Sequence, residues 1–384
     1  MPRVRDKLPD DVAEALGLVK GGKLFALQQW IKDGKRIRID GLKSENLCCL
    51  FQACVLGFHS IVEVLLMAES WPQSDKDRAV NRTMSDKNID MADLLLAHGA
   101  DVKAVDFKDV CRTMDLGLME RFLRAGVNPA SNNSFARALD ETSARPLLRF
   151  YKSFREEFPA LNGQAALALA EAVRGKRPGW TALLAWAGAD PFLTVPEDIY
   201  GNWDIEEGYG VKAAELACHS GDSNLVKVLR LQPSTEEAQR LLCHVSYHPV
   251  PAVMKELLRV VPKELLNTGE RMSCEGVEHF VNRLYPSSNE EKDNAAAACL
   301  ELLLDAGARW NPDPKEISRM RKNLCQNTPR YVVRVVRLLL YVQGAADLEL
   351  IADLCNTPLM RRKIYLADDK LNKELEKLEF SRAR

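Results

Sequence analysis

The segment LLLAHGAD at 94–101 returns in loose copies as FLRAGVNP at 122–129, LLAWAGAD at 183–190 and LLLDAGAR at 302–309. Ahead of the first copy, Ile89, Met91, Ala92, Leu94 and Leu95 recur at helical rather than alternating spacing, which gives a helix one apolar face. Gly99 can take the left-handed conformation that closes such a helix, Ala100 leaves room for a tight exit, and Asp101 opens a turn. The phrase is therefore a helix ending. Another helical pattern precedes each copy, so the predicted unit is helix, turn, helix, loop.

Gly34, Gly99, Gly126, Gly188, Gly307 and Gly344 fall about one, two or four units of roughly thirty residues apart, a period that predicts a stack of like units. Two stretches without the phrase fill the longer gaps. SFARALDETSARPLLRFYKSF reads as helix, turn and helix, with Pro146 in the first turn of the second. STEEAQRLLCHVSYHPVPAVMKELLRVVP reads as a helix opened by Ser234 or Thr235, a break at Pro249 and Pro251, and a second helix. The polar stretch LYPSSNEEKDN at 284–294 reads as a mobile linker. PRVRDKLPDDVAEAL and DDKLNKELEKLEF are charged segments suited to cap the ends of a stack, whose terminal units have no neighbour to cover them.

Laid side by side, the units carry a known pattern. LFQACVLGFHSIVEVLLMAES at 50–70 has Leu50, the small pair Ala53 and Cys54, Gly57, and then Ile61, Val62, Glu63, Val64, Leu65 and Leu66. AAELACHSGDSNLVKVLRL repeats it with Ala217, Cys218, Gly221, Asp222, Leu225, Val226, Val228 and Leu229, and GKLFALQQWIKDGK is a degenerate first copy. The chain thus resembles the ankyrin repeat family over roughly residues 12–346. One feature of that family is missing throughout, the threonine-proline-leucine-histidine tetrapeptide, whose slots hold Cys48, Cys49, Leu50 and Phe51 in one copy. The expectation is that apolar packing replaces its polar network. The resemblance implies an all-α, ankyrin-like helical-repeat solenoid of about nine to ten helix pairs. Residues 1–40 would form the N-terminal cap and first repeat, 41–346 the array, and 347–384 a C-terminal helical cap.

Composition narrows the function classes. The chain has 384 residues, 46% of them hydrophobic, with 53 Lys and Arg against 54 Asp and Glu. A net charge of −1 offers no overall pull toward nucleic acid or anionic lipid. The N-terminus turns acidic where a secretory signal needs an apolar core, and no apolar run reaches the ~18 residues of a membrane span. The ten cysteines sit in apolar helical runs without a CxxC pair, as expected of buried free thiols in the cytoplasm.

Candidate chemistry is sparse. There is no GxxxxGK[ST], GxGxxG after a strand, HExxH or GxSxG. CHVSYHP places His244 and His248 at i and i+4, with Cys243 beside them and Cys218 and His219 one unit earlier. Without a second ligand pair at metal spacing, the reading is a core cysteine and rim histidines, with no metal and no cofactor. Cys48 and Cys49 point about 100° apart on a helix and read as core. RMRKNLCQNTPR at 319–330 and MRRK at 360–363 are basic clusters that read as solvated faces.

The segment VPEDIYGNWDIEEGYG at 195–210 stands apart. It interrupts a repeat where an ankyrin finger would lie and sets Tyr200, Trp203 and Tyr209 among Glu197, Asp198, Asp204, Glu206 and Glu207. Exposed, it would be a recognition surface for a partner with a basic patch; folded back, it would bury Trp203. The resemblance implies a non-enzymatic protein-binding scaffold, monomeric when unbound. Its further contact positions would lie just beyond the repeat endings, at Asp106, Phe107, Phe192, Trp310 and Asn311. Two alternatives stand beside it: an enzyme or enzyme-inhibiting factor acting through the insertions or the C-terminal segment, and a structural subunit of a larger complex.

Overall fold

The computed structural model describes residues 8–39, 44–141, 145–196, 210–266, 290–308, 314–326, 329–343, 354–355, 357–373 and 375. Among these the protein is all-α; the one extended pairing is an isolated bridge between Val195 and Val211. The chain divides into two compact units, Met1–Ala168 and Leu169–Arg384.

In the first unit short antiparallel pairs follow one another: α1 (Asp10–Lys20) with α2 (Leu24–Lys32), α3 (Cys49–Val55) with α4 (His59–Ala68), α5 (Gln73–Ser85) with α6 (Ile89–Ala97), and α7 (Phe107–Arg112) with α8 (Leu116–Arg124). Then come α9 (Ser134–Glu141) and α10 (Arg145–Phe154). The first members stack in order, α1 on α3, α3 on α5, α5 on α7 and α7 on α9, while α2 packs on α4 and α8 on α10. A helix held between two like neighbours must be apolar on more than one face, and α3 accordingly buries Cys49, Leu50, Phe51, Ala53 and Cys54. Phe107, Phe135, Phe150 and Tyr151 form a fully buried aromatic cluster, with Phe135 between 6.1 and 6.4 Å, centroid to centroid, from each of the others.

Helix α11 (Ala160–Arg174) carries the boundary between the units. The second unit contains α12 (Pro178–Ala187), α13 (Ala213–His219), α14 (Ser223–Leu229), α15 (Thr235–Tyr247), α16 (Pro251–Leu257), α17 (Glu290–Asp305), α18 (Pro314–Leu324), α19 (Pro329–Gln343) and α20 (Pro358–Ala367). Here α13 pairs with α14 and α15 with α16; α13 stacks on α15, and α12, α14, α16, α17, α19 and α20 pack in succession. Ser234 and Glu237 form a capping box at the head of α15, satisfying two helix-end donors.

The repeated phrase closes helices as its residues predict. At Gly99 (φ 85°) the glycine N–H donates to Leu96 O and the next N–H, of Ala100, reaches back to Leu95 O; Gly126, Gly188 and Gly307 repeat this left-handed closure. The same left-handed conformation ends the first helix of several pairs, at Gly22, Gly57 and Gly221 and, without glycine, at Lys87, Met114 and Lys176, whereas α15 ends at His248 with φ −128°. Arg230 (φ 49°) likewise stands at the end of α14, within the long gap between Gly188 and Gly307.

Two expectations are corrected. The 284–294 stretch is not all linker, because α17 begins at Glu290; the acids of EEKDN favour a helix N-terminus, and AAAACLELLL supplies the buried face behind them. The polar network is also replaced rather than lost. Asp77 accepts from Asp101 N–H (2.8 Å), Asn81 from Asp106 N–H (3.1 Å), and Gln164 from Ala136 N–H (3.2 Å), while Arg121 pairs with Asp93 and Arg112 with Glu141 at 2.7 Å each. These partners lie 24 to 29 residues apart, about one helix pair, so the rungs tie neighbouring pairs together between α5 and α11.

Candidate binding surface

The contact positions expected beyond each repeat ending meet different fates. Asp106 caps α7: its carboxylate accepts from Lys108 N–H (2.9 Å) and from the hydroxyl of buried Ser134. Phe107, the first residue of α7, is fully buried against Phe135 and is corrected from a contact residue to a core residue. The reason is that α7 starts directly after the loop and turns its first side chain toward α9. Phe192 is half-buried in a turn fixed by its own N–H donating to Asp190 Oδ1 (2.8 Å), with Leu193 exposed beside it. Trp310 and Asn311 lie outside the described residues, as do Tyr200, Trp203, Glu206, Glu207 and Tyr209.

The ends of the acidic, aromatic segment are described. Val195 N–H donates to Val211 O and Val211 N–H to Val195 O, both at 3.0 Å, so the chain leaves and returns at one point. Val195 is buried, and Ala214 N–H at the head of α13 donates to Pro191 O (3.0 Å), which fixes the bridge to the following helix. Gly210 is needed at the return: a Cβ there would meet Val195 O at 2.8 Å and collide with the Thr194 methyl. The two ends of the insertion are thus hydrogen-bonded to each other and linked to the head of α13.

The histidine cluster does assemble. His219 at the end of α13 and His248 at the end of α15 meet edge to face with centroids 4.2 Å apart. His244 Nε2 lies 3.8 Å from Glu215 Oε2, too far for a hydrogen bond. Burial, then His248 and His244, hold His219 below the ordinary imidazole range; burial and then Arg240 do the same to His244, while burial raises Glu215. Among the described residues no group of three or more His, Cys, Asp or Glu is arranged to hold a metal ion. Four of the buried thiols are unreactive by environment, burial pushing Cys49, Cys54, Cys218 and Cys299 up to about 12. No helix among the described residues is long and apolar enough to cross a membrane.

No protein-family model and no curated protein matches the chain.

Sequence reading passed over the outer surface of the helices. Phe25 on α2, Met67 on α4 and Trp186 on α12 are 82%, 69% and 56% exposed, and Leu359, Tyr365 and Leu366 crowd onto α20. An apolar residue looks the same in sequence whether it faces a neighbour or water, so only the packing distinguishes these.

Proposed function

We propose that the protein is a non-enzymatic protein-binding scaffold built as a divergent ankyrin-like array, and that the 195–210 insertion is its principal recognition element. The observation that carries this reading is the bridge between Val195 and Val211, which brackets a stretch of sequence holding five acids and three aromatic residues. Aromatic side chains supply most of the contact energy in such sites, and acids steer a basic partner toward them. The stacking of helix pairs and the rungs one repeat apart support the ankyrin-like reading of the array, and buried free thiols fit a cytoplasmic protein. Affinity purification of the full chain identifies the partner. Trp203→Ala should then weaken binding by about 2 kcal/mol or more while leaving the melting temperature unchanged. Charge reversal at Glu206 and Glu207 should mainly slow association, with added salt masking much of the difference. Loss of stability with affinity intact would place Trp203 in the core and move recognition elsewhere.

A further inference from the structure

Helix α20 is capped by Thr357, whose side chain accepts from Met360 N–H, and it turns Met360 and Ile364 into the unit. A helix packed on one side ordinarily gives its outer side to polar residues. Here the outer side carries Leu359, Tyr365 and Leu366, 49%, 58% and 66% exposed, with exposed Arg362 among them. Leu359, Arg362 and Leu366 stand at i, i+3 and i+7 and form one stripe.

Among the described residues the surroundings are positive. No acid occurs between Thr357 and Ala367. The two that follow are engaged, Asp368 by Arg337, whose hydrogen bond lowers its pKa, and Asp369 by Lys373 at 2.6 Å. Helix α18 adds exposed Arg319 and Lys322 and is tied to the approach to α20, because Arg321 Nε donates to Leu354 O (3.2 Å). The basic cluster at 319–322 is thus brought beside the segment that leads into α20, some forty residues on in sequence.

We propose that this face of α20 docks an acidic peptide segment of a partner protein that carries apolar or aromatic side chains. The positive charge selects the acids, and Leu359, Tyr365 and Leu366 supply the apolar contact. The interleaving disfavours a lipid surface. A helix lying in a membrane segregates its apolar side and sinks it several ångströms into the acyl boundary, whereas the segregated apolar side here, Met360 and Ile364, is already buried in the unit and Arg362 sits between the exposed leucines.

The test uses the full chain and a fluorescein-labelled, glutamate-rich peptide carrying leucine and tyrosine, read by fluorescence anisotropy. A second peptide has glutamine at every glutamate, and phosphatidylserine vesicles provide the membrane arm. The acidic peptide should bind, lose affinity with added salt, and bind at least about tenfold more tightly than the glutamine peptide. Arg362→Glu and Leu366→Ala should each weaken it about tenfold with unchanged circular dichroism and melting, since both side chains are exposed. Tyr365→Ala provides a second apolar variant should either disturb the fold. Equal binding of the two peptides, no binding, or vesicle binding that depends on Arg362 without peptide binding would overturn the proposal.

Discussion

Replacing Asp106 with alanine separates a structural aspartate from a contact residue. Its carboxylate caps α7 through Lys108 N–H and takes the hydroxyl of Ser134 from the next pair, while its own N–H donates to Asn81 Oδ1 in the previous one. The substitution leaves only the last bond. Loss of the cap is worth about 1 kcal/mol. A hydrogen bond to a charged acceptor would add more than that, but Ser134 Oγ also reaches Ser131 O, so the second loss is discounted to about 1 kcal/mol. The total of about 2 kcal/mol corresponds to a fall of about 4–8 °C in the melting temperature for a unit of this size. Asp106→Asn keeps an acceptor in both places and should lose less than about 1 kcal/mol. Thermal and urea denaturation of the three proteins, with Ser134→Ala to complete a double-mutant cycle, should give a coupling of about 0.5 kcal/mol or more. An alanine variant melting within about 1 °C of the wild type would refute the linking role.

Phe107→Ala empties the centre of the aromatic cluster and should destabilise the protein by about 3–5 kcal/mol in the same assay; a neutral result would return Phe107 to the surface. Lys87 adopts φ 60°, so Lys87→Gly should raise stability by up to about 1 kcal/mol, whereas Gly99→Ala, at φ 85° and with Lys76 Nζ 3.2 Å from the new methyl, should lower it by about 1–2 kcal/mol. His219 has a lowered pKa in the fold, so the unfolded chain takes up its proton first as the solution is acidified. Its contribution to stability is complete above the ordinary histidine range and is lost as pH falls below it. The wild type should therefore lose more melting temperature than His219→Gln between neutral pH and about 5.5, and parallel slopes would refute this.

What the chain determined by itself is the helix rhythm and its closures. The apolar spacing from Ile89 to Leu95, the left-handed turn at Gly99, Pro146 in the opening turn of α10 and the Ser234 cap all depend on a few adjacent residues, so they can be read without a fold. The turns at Lys87, Met114, Lys176 and Arg230 use the same geometry but are invisible, because a non-glycine residue takes that conformation when the packed helices on either side impose it. The candidate site divides in the same way. The composition of 195–210 was legible, but the bridge that closes its ends pairs residues sixteen positions apart across the loop. Which individual apolar side chains face water was only partly legible. Phe107 and Leu366 are both apolar residues on helices, yet one is fully buried and the other 66% exposed. That difference, like the rungs from Asp77 to Asp101 and from Asp106 to Ser134, exists only after successive helix pairs have stacked, because burial and long-range hydrogen bonding are properties of neighbours brought together in space.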